Sequence, residues 1–151
     1  MTTIVSRPGS SPAARRRLAG SGGWEEAWWF GPDGQRLFGF LHLPEGRPRA
    51  GIVVCSPLHA EFLRNYRREV LVARALAARG FAVQRFHYRG TGSSDGQASE
   101  ATYETMRQDA LLAAGHVLER SGATRLGFLG TRWGALVAAA GAAGFPGAPL
   151  A

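Results

Sequence analysis

Five residues, Gly130-Thr131-Arg132-Trp133-Gly134, lie between a short apolar run and an alanine-rich stretch, and their spacing has chemical meaning. Where a strand turns sharply into a helix, the residue at the bend has a strained backbone. The residues two places before and two places after crowd against it. Glycine at both outer positions removes the Cβ clash, so Gly130 and Gly134 meet a steric requirement. In the G-x-S-x-G form of this turn the bend presents a serine for nucleophilic attack, and the next backbone N–H helps to hold the oxyanion. Here the bend residue is Arg132, whose guanidinium stays protonated and cannot attack a carbonyl. Glycine-flanked turns also occur without chemistry, so this frame gains force only from the rest of the pattern.

Two further loops could serve the same site. Ser56-Pro57-Leu58-His59-Ala60-Glu61-Phe62-Leu63-Arg64-Asn65 follows an apolar run. A loop in that place supplies a second oxyanion-hole N–H, here near Leu58, with Trp133 supplying the first. His59 and Glu61 are read as lining or capping that loop. The other loop, His87-Tyr88-Arg89-Gly90-Thr91-Gly92-Ser93-Ser94-Asp95-Gly96, is glycine-rich. It misses the dinucleotide fingerprint G-x-G-x-x-G because Asp95 takes the third glycine's place, and it follows the second parallel strand instead of the first. A triad of Ser93 or Ser94 with His87 and Asp95 is disfavoured, since all four share one short loop. Arg132 has a non-catalytic reading as well. At a helix N-terminus, where N–H groups and the dipole favour negative charge, it makes an anion- or carboxylate-binding group. The plainer alternatives are pairing with an acid such as Asp95, or reaching solvent.

The elements that must position these residues follow from pattern. Residues 1–22, rich in Ser, Gly, Pro, Ala and Arg without periodicity, read as a disordered tail. Trp24–Phe30 and Gln35–Leu43 flank the turn signal Gly31-Pro32-Asp33-Gly34 and read as a hairpin. Gly51–Cys55, Phe81–Phe86 and Arg125–Leu129 read as buried strands. Helices are expected at Tyr66–Arg79, with Val70, Ala73, Leu76 and Ala77 inward, at Thr102–Arg120, and at Gly134–Ala143. Strand alternating with helix implies an α/β fold with a mostly parallel sheet, preceded by the hairpin and flanked by helices.

Composition narrows the function classes. The 151 residues suffice for one core, and no run approaches the roughly 18 apolar residues of a membrane span. The net charge of +7 comes entirely from arginine, since there is no lysine. The arginines are scattered apart from Arg15-Arg16-Arg17, which reads as compositional bias, although polyanion binding stays open. No nucleic-acid fingerprint accompanies them. One cysteine, Cys55, excludes an internal disulfide framework and a cysteine-based zinc site. The arginine triplet lacks the apolar segment of an export signal, so a cytoplasmic location is the default expectation, with no membrane partner.

Together the loop from Ser56, Tyr88-Arg89-Gly90-Thr91-Gly92-Ser93 and the frame from Gly130 to Gly134 resemble the α/β-hydrolase superfamily over about residues 24–144, most closely the serine aminopeptidase-like hydrolases. Within these, Pro57–Arg68 and the Arg-centred turn look like hydrolases associated with exosortase systems. The resemblance implies ester, amide or peptide hydrolysis as ancestral chemistry, on small-molecule or peptide substrates, with no cofactor. It implies Leu58 and Trp133 as oxyanion donors and Arg132 in the nucleophile's place. Where this family often carries Asp, the chain has His87. The superfamily's acid and His follow the nucleophile, yet residues 133–151 contain no His, Asp, Glu, Ser or Cys. Residues 23–151 therefore read as a truncated, N-terminal part of the fold, without a complete triad. The outer edge of its last strand is expected to be covered by the missing C-terminal half or by a second copy.

Overall fold

A computed structural model describes residues 11–20 and 22–146. Six strands and three principal helices follow in the order β1 (Ala14–Arg17), β2 (Trp24–Phe30), β3 (Leu37–Leu43), β4 (Gly51–Cys55), α1 (His59–Ala78), β5 (Ala82–Phe86), α2 (Tyr103–Ser121), β6 (Leu126–Gly130) and α3 (Trp133–Gly144). They build one mixed sheet in the order β1-β2-β3-β5-β4-β6. Strands β5, β4 and β6 run parallel, while β1, β2 and β3 join antiparallel. The expected α/β architecture is present, with the hairpin widened to three strands.

Alternation along β4 sorts the layers. Val53 and Cys55 belong to the large core under α2 and α3, with Trp28, Leu41, Met106, Ala110, Val117 and Val137. Val54 joins the smaller cluster under α1, with Ala73 and Val83. Small residues let α2 lie close on the sheet: Ala110, Ala113 and Ala114 are fully buried. Its ends are chemically marked, with Thr102 accepting from Thr105 N–H at the N-cap and Gly122 in the left-handed conformation at the C-terminus.

Two sequence expectations need correction. Residues 14–17 are not tail but strand β1, paired in register with Trp24–Ala27. All four residues of β1 are exposed, so no alternation marked the strand, and Arg15 and Arg16 are tied to it through Glu26 and Glu25. Residues 1–10 of that expected tail lie outside the described residues. Helix α1 begins at His59, not Tyr66, because Leu58 starts it without a side-chain cap. Ala60, Glu61, Leu63 and Arg64 are good helix formers, and the mostly exposed run 59–65 hides the period.

Two histidines are buried as neutral rings. His116 Nδ1 lies 2.8 Å from Gln84 Oε1 and the ring stacks on Phe30 at 4.4 Å. Since the Gln84 amide nitrogen already donates to the Arg85 carbonyl, its oxygen faces the ring and Nδ1 donates. Burial, reinforced by Arg120, pushes His116 down to about 3. Burial also pushes His42 down to about 4, against the pull of Glu25. Both folded values lie below those of the unfolded chain. Their stabilising contribution is therefore full above about pH 6.5 and is lost as pH falls toward those values, at up to about 1.4 kcal/mol per pH unit per histidine. Urea unfolding between pH 7 and 5 should show this loss, and His116→Gln should reduce the slope by about one proton. An unchanged slope would mean that His116 titrates normally.

Candidate functional site

The end of β6 turns into α3 through Arg132, whose backbone sits at φ 55°, ψ −124°. Only His59 shares a positive φ among the described non-glycine residues. The turn is closed by Gly134 N–H donating to the Thr131 carbonyl at 2.9 Å and Ala135 N–H donating to that of Arg132 at 3.0 Å. Both flanking glycines are sterically obligatory. A Cβ on Gly130 would come within 2.1 Å of the Gly134 carbonyl oxygen, and one on Gly134 within 2.0 Å of the Cys55 carbonyl oxygen. The bend is thus seated directly on the end of β4, where the Ser56 loop starts.

That loop is anchored from behind. Ser56 Oγ donates to Glu69 Oε2 at 2.7 Å, and Tyr88 OH donates to the Ser56 carbonyl at 3.1 Å. Burial pushes the Glu69 carboxyl up, although Ser56 and two arginines oppose it. Leu58 then leads into α1 with an extended backbone, φ −96°, ψ 156°. Neither Leu58 N–H nor Trp133 N–H donates to any backbone carbonyl in the turns, loops and caps of the described residues. Trp133 opens its helix, so it has no intrahelical acceptor. Its ring lies over α2, with Nε1 donating to Met106 Sδ at 3.3 Å.

Beside this junction a pocket of about 380 Å³ opens, lined among others by Pro57, Leu58, His59, Phe62, His87 and Tyr88. The His87 loop forms its far wall. His87 Nδ1 accepts from Ser93 N–H at 3.2 Å, and burial, assisted by Arg85, lowers its pKa. Ser94 Oγ donates to the His87 carbonyl at 2.6 Å and accepts from Phe38 N–H. Asp95 is held by Arg36 through its backbone N–H and Nε. These residues are spent on fixing the loop and do not align as a triad. Arg89 is locked by Asp109, fully buried on α2, which accepts from Arg89 N, Nε and Nη2 at 2.8–2.9 Å.

Arg132 itself reaches Glu61 in the first turn of α1, Nη1 to Oε1 3.0 Å, with both side chains exposed. Of the alternatives for Arg132, an acid such as Asp95 or solvent, the structure shows an acid, Glu61, a pairing that depends on α1 beginning seven residues earlier than its periodicity suggested. Glu69 and Asp109 were also missed as supports. Glu69 shares its buried helix face only with Ala73 and Ala77, and Asp109 is the one acid on the buried face of α2; a buried acid is a signal for a buried partner. Among the described residues no group of three or more His, Cys, Asp or Glu could hold a metal ion.

The family model for serine aminopeptidase, S33, matches residues 46–147, from before β4 to beyond α3. The chain belongs to that family. Solved structures agree in fold. A lid-less α/β serine hydrolase from Xanthomonas campestris matches with 25% identity and a TM-score of 0.66, over 85% of this chain and 58% of that one. Est1E from Butyrivibrio proteoclasticus, solved with ferulic acid bound, matches at 24% and 0.65, over 78% and 47%. A proline iminopeptidase-related protein of Thermus thermophilus matches at 26% and 0.55, over 82% and 42%. This serine aminopeptidase relative thus spans 58% or less of the length of these structures. No protein of curated function matches it. No helix of the described residues is long and apolar enough to cross a membrane.

Proposed function

We propose that this chain is the substrate-binding half of an α/β-hydrolase site, without acyl-transfer activity of its own. The observation that carries this reading is the bend at residue 132, which keeps the strained backbone and clamped glycines that present a nucleophile but carries an arginine. The retained parts are the two free N–H groups of Leu58 and Trp133, as oxyanion donors, and the pocket that Leu58 lines. The lost parts are the nucleophile and, within residues 133–151, any acid or histidine. The chemistry inherited is ester, amide or peptide hydrolysis on a small molecule or peptide, in the cytoplasm. A fluorophosphonate probe is expected to leave both the wild type and Arg132→Ser unlabelled, because residues 133–151 hold no histidine or acid to complete a triad. Covalent labelling of the wild type would overturn the reading.

A second reading, a carboxylate-binding role for Arg132, is favoured by the Glu61 contact, in which the guanidinium at the helix N-terminus already receives such a group. Calorimetric titration with acetate should then show binding that Arg132→Ala abolishes and Glu61→Gln strengthens. Equal affinity in all three chains removes this role.

A further inference from the structure

We propose that the recess between the end of β1 and α1 binds the phosphoryl group of a small, soluble phosphate monoester. The recess lies at the β1 end of the sheet, while β6 forms the opposite end. It has a volume of about 610 Å³ and is lined among others by Arg16, Leu18, Ala19, Arg74, Ala75 and Ala78. Alternation along β1 divides the arginine triplet between two faces. Arg15 and Arg17 lie over the Trp24 ring. Arg16 points the other way and meets Arg74 of α1 at Glu25.

The recess holds an excess of positive charge. Arg16 Nη2 donates to Glu25 Oε1, and Arg74 Nε and Nη2 donate to the same carboxylate at 3.0 and 3.3 Å. Two guanidiniums share one carboxylate, His42 beside it is held neutral by burial, and no acidic residue lines the recess. Each guanidinium keeps further N–H donors in a planar fork, the geometry that suits phosphate oxygens. The shared carboxylate holds both forks in place, so binding orders little that is not already ordered. The last turn of α1 ends here, and its carbonyls would repel an anion. They are already covered: Arg79 Nη1 donates to the Ala75 carbonyl, and the backbone N–H groups of Arg79 and Gly80 donate to those of Leu76 and Ala77. The alanines leave room for the anion to approach. Leu71, 52% exposed one turn earlier on the same face of α1, offers apolar surface to the organic part of the ester. The Arg16 and Arg74 side chains are 60% and 37% exposed, so solvent screens the pair and the affinity is modest. The proposal does not rest on the reading of Arg132.

The experiment is calorimetric titration with methyl phosphate at pH 8 and about 20 mM salt, where the monoester is a dianion and screening is weak. The expected result is one site of millimolar affinity. Dimethyl phosphate, a monoanion with two blocked oxygens, should bind about 10-fold more weakly or worse. Arg16→Ala and Arg74→Gln should each weaken methyl phosphate about 10-fold or more. Ala75→Leu, which fills the recess without changing charge, should do the same. Arg107→Ala, which removes an equal charge from α2, should leave binding unchanged. Should Arg74→Gln lose its circular dichroism signal, Arg16→Ala on the exposed edge strand decides. A wild type that gives no binding heat at about 10 mM methyl phosphate overturns the proposal. So does an equal loss in Arg107→Ala, or full affinity in Ala75→Leu, since either makes the attraction a diffuse field. A chain that ignores methyl phosphate yet cosediments with phosphatidic acid vesicles also overturns it, by assigning the surface to a membrane.

Discussion

Gly134→Ala is expected to destabilise the protein by about 3 kcal/mol, at the upper end of what overpacking costs. The new methyl would lie 2.0 Å from the Cys55 carbonyl oxygen and 2.9 Å from two carbonyl carbons, all of them backbone atoms that cannot rotate away. Alanine's advantage over glycine in a helix, about 1 kcal/mol, acts in the other direction and is outweighed. Gly130→Ala should behave alike, because its clash is with the Gly134 carbonyl at 2.1 Å. Gly141→Ala in the same helix is the useful contrast. There the methyl meets only the Phe128 ring, from 2.8 Å, which can tilt, so the loss should be smaller. Urea denaturation of the three variants checks the order. If Gly134→Ala is as stable as the wild type, α3 does not rest on β4 as described, and the bend at Arg132 loses its support.

Asp109→Ala should cost about 3–5 kcal/mol, the range for breaking a buried ion pair from one side. Asp109 is fully buried, and the Arg89 side chain is 12% exposed, so truncation strands a charge and also removes the acceptor of Arg89 N–H. Burial pushes the Asp109 carboxyl up despite three hydrogen bonds from Arg89, and replacing a buried ion pair by apolar residues of similar volume is often neutral or stabilising. The double variant Arg89→Met with Asp109→Leu should therefore be more stable than Asp109→Ala alone, as denaturation midpoints would show. If the double variant falls well below the wild type, the ion pair stabilises the fold in its own right.

Much of this architecture could be read from residues alone, for reasons that differ by element. Strand β4 was legible because Ile52, Val53, Val54 and Cys55 form a continuous apolar run, as a strand covered on both faces requires. Helix α2 was legible because Met106, Ala110, Ala113 or Ala114, and Val117 recur on one face, and all of them are buried. The bend was legible because only glycine fits at 130 and 134. Strand β1 was hidden because an edge strand with no buried face has no period to read. The start of α1 was hidden because Leu58 gives no capping signal, and the Arg132–Glu61 pair was hidden with it. The supports at Glu69 and Asp109 depend on partners from distant loops, Ser56 and Arg89, which no local spacing reveals.

Cys55, the chain's single cysteine, is 1% exposed at the last position of β4, and burial pushes its thiol up to about 12. A neutral, enclosed sulfur reacts with neither alkylating agents nor oxidants until the sheet parts around it. The rate at which a thiol reagent consumes the folded protein therefore counts openings of the very strand on which the bend is seated, with no label introduced.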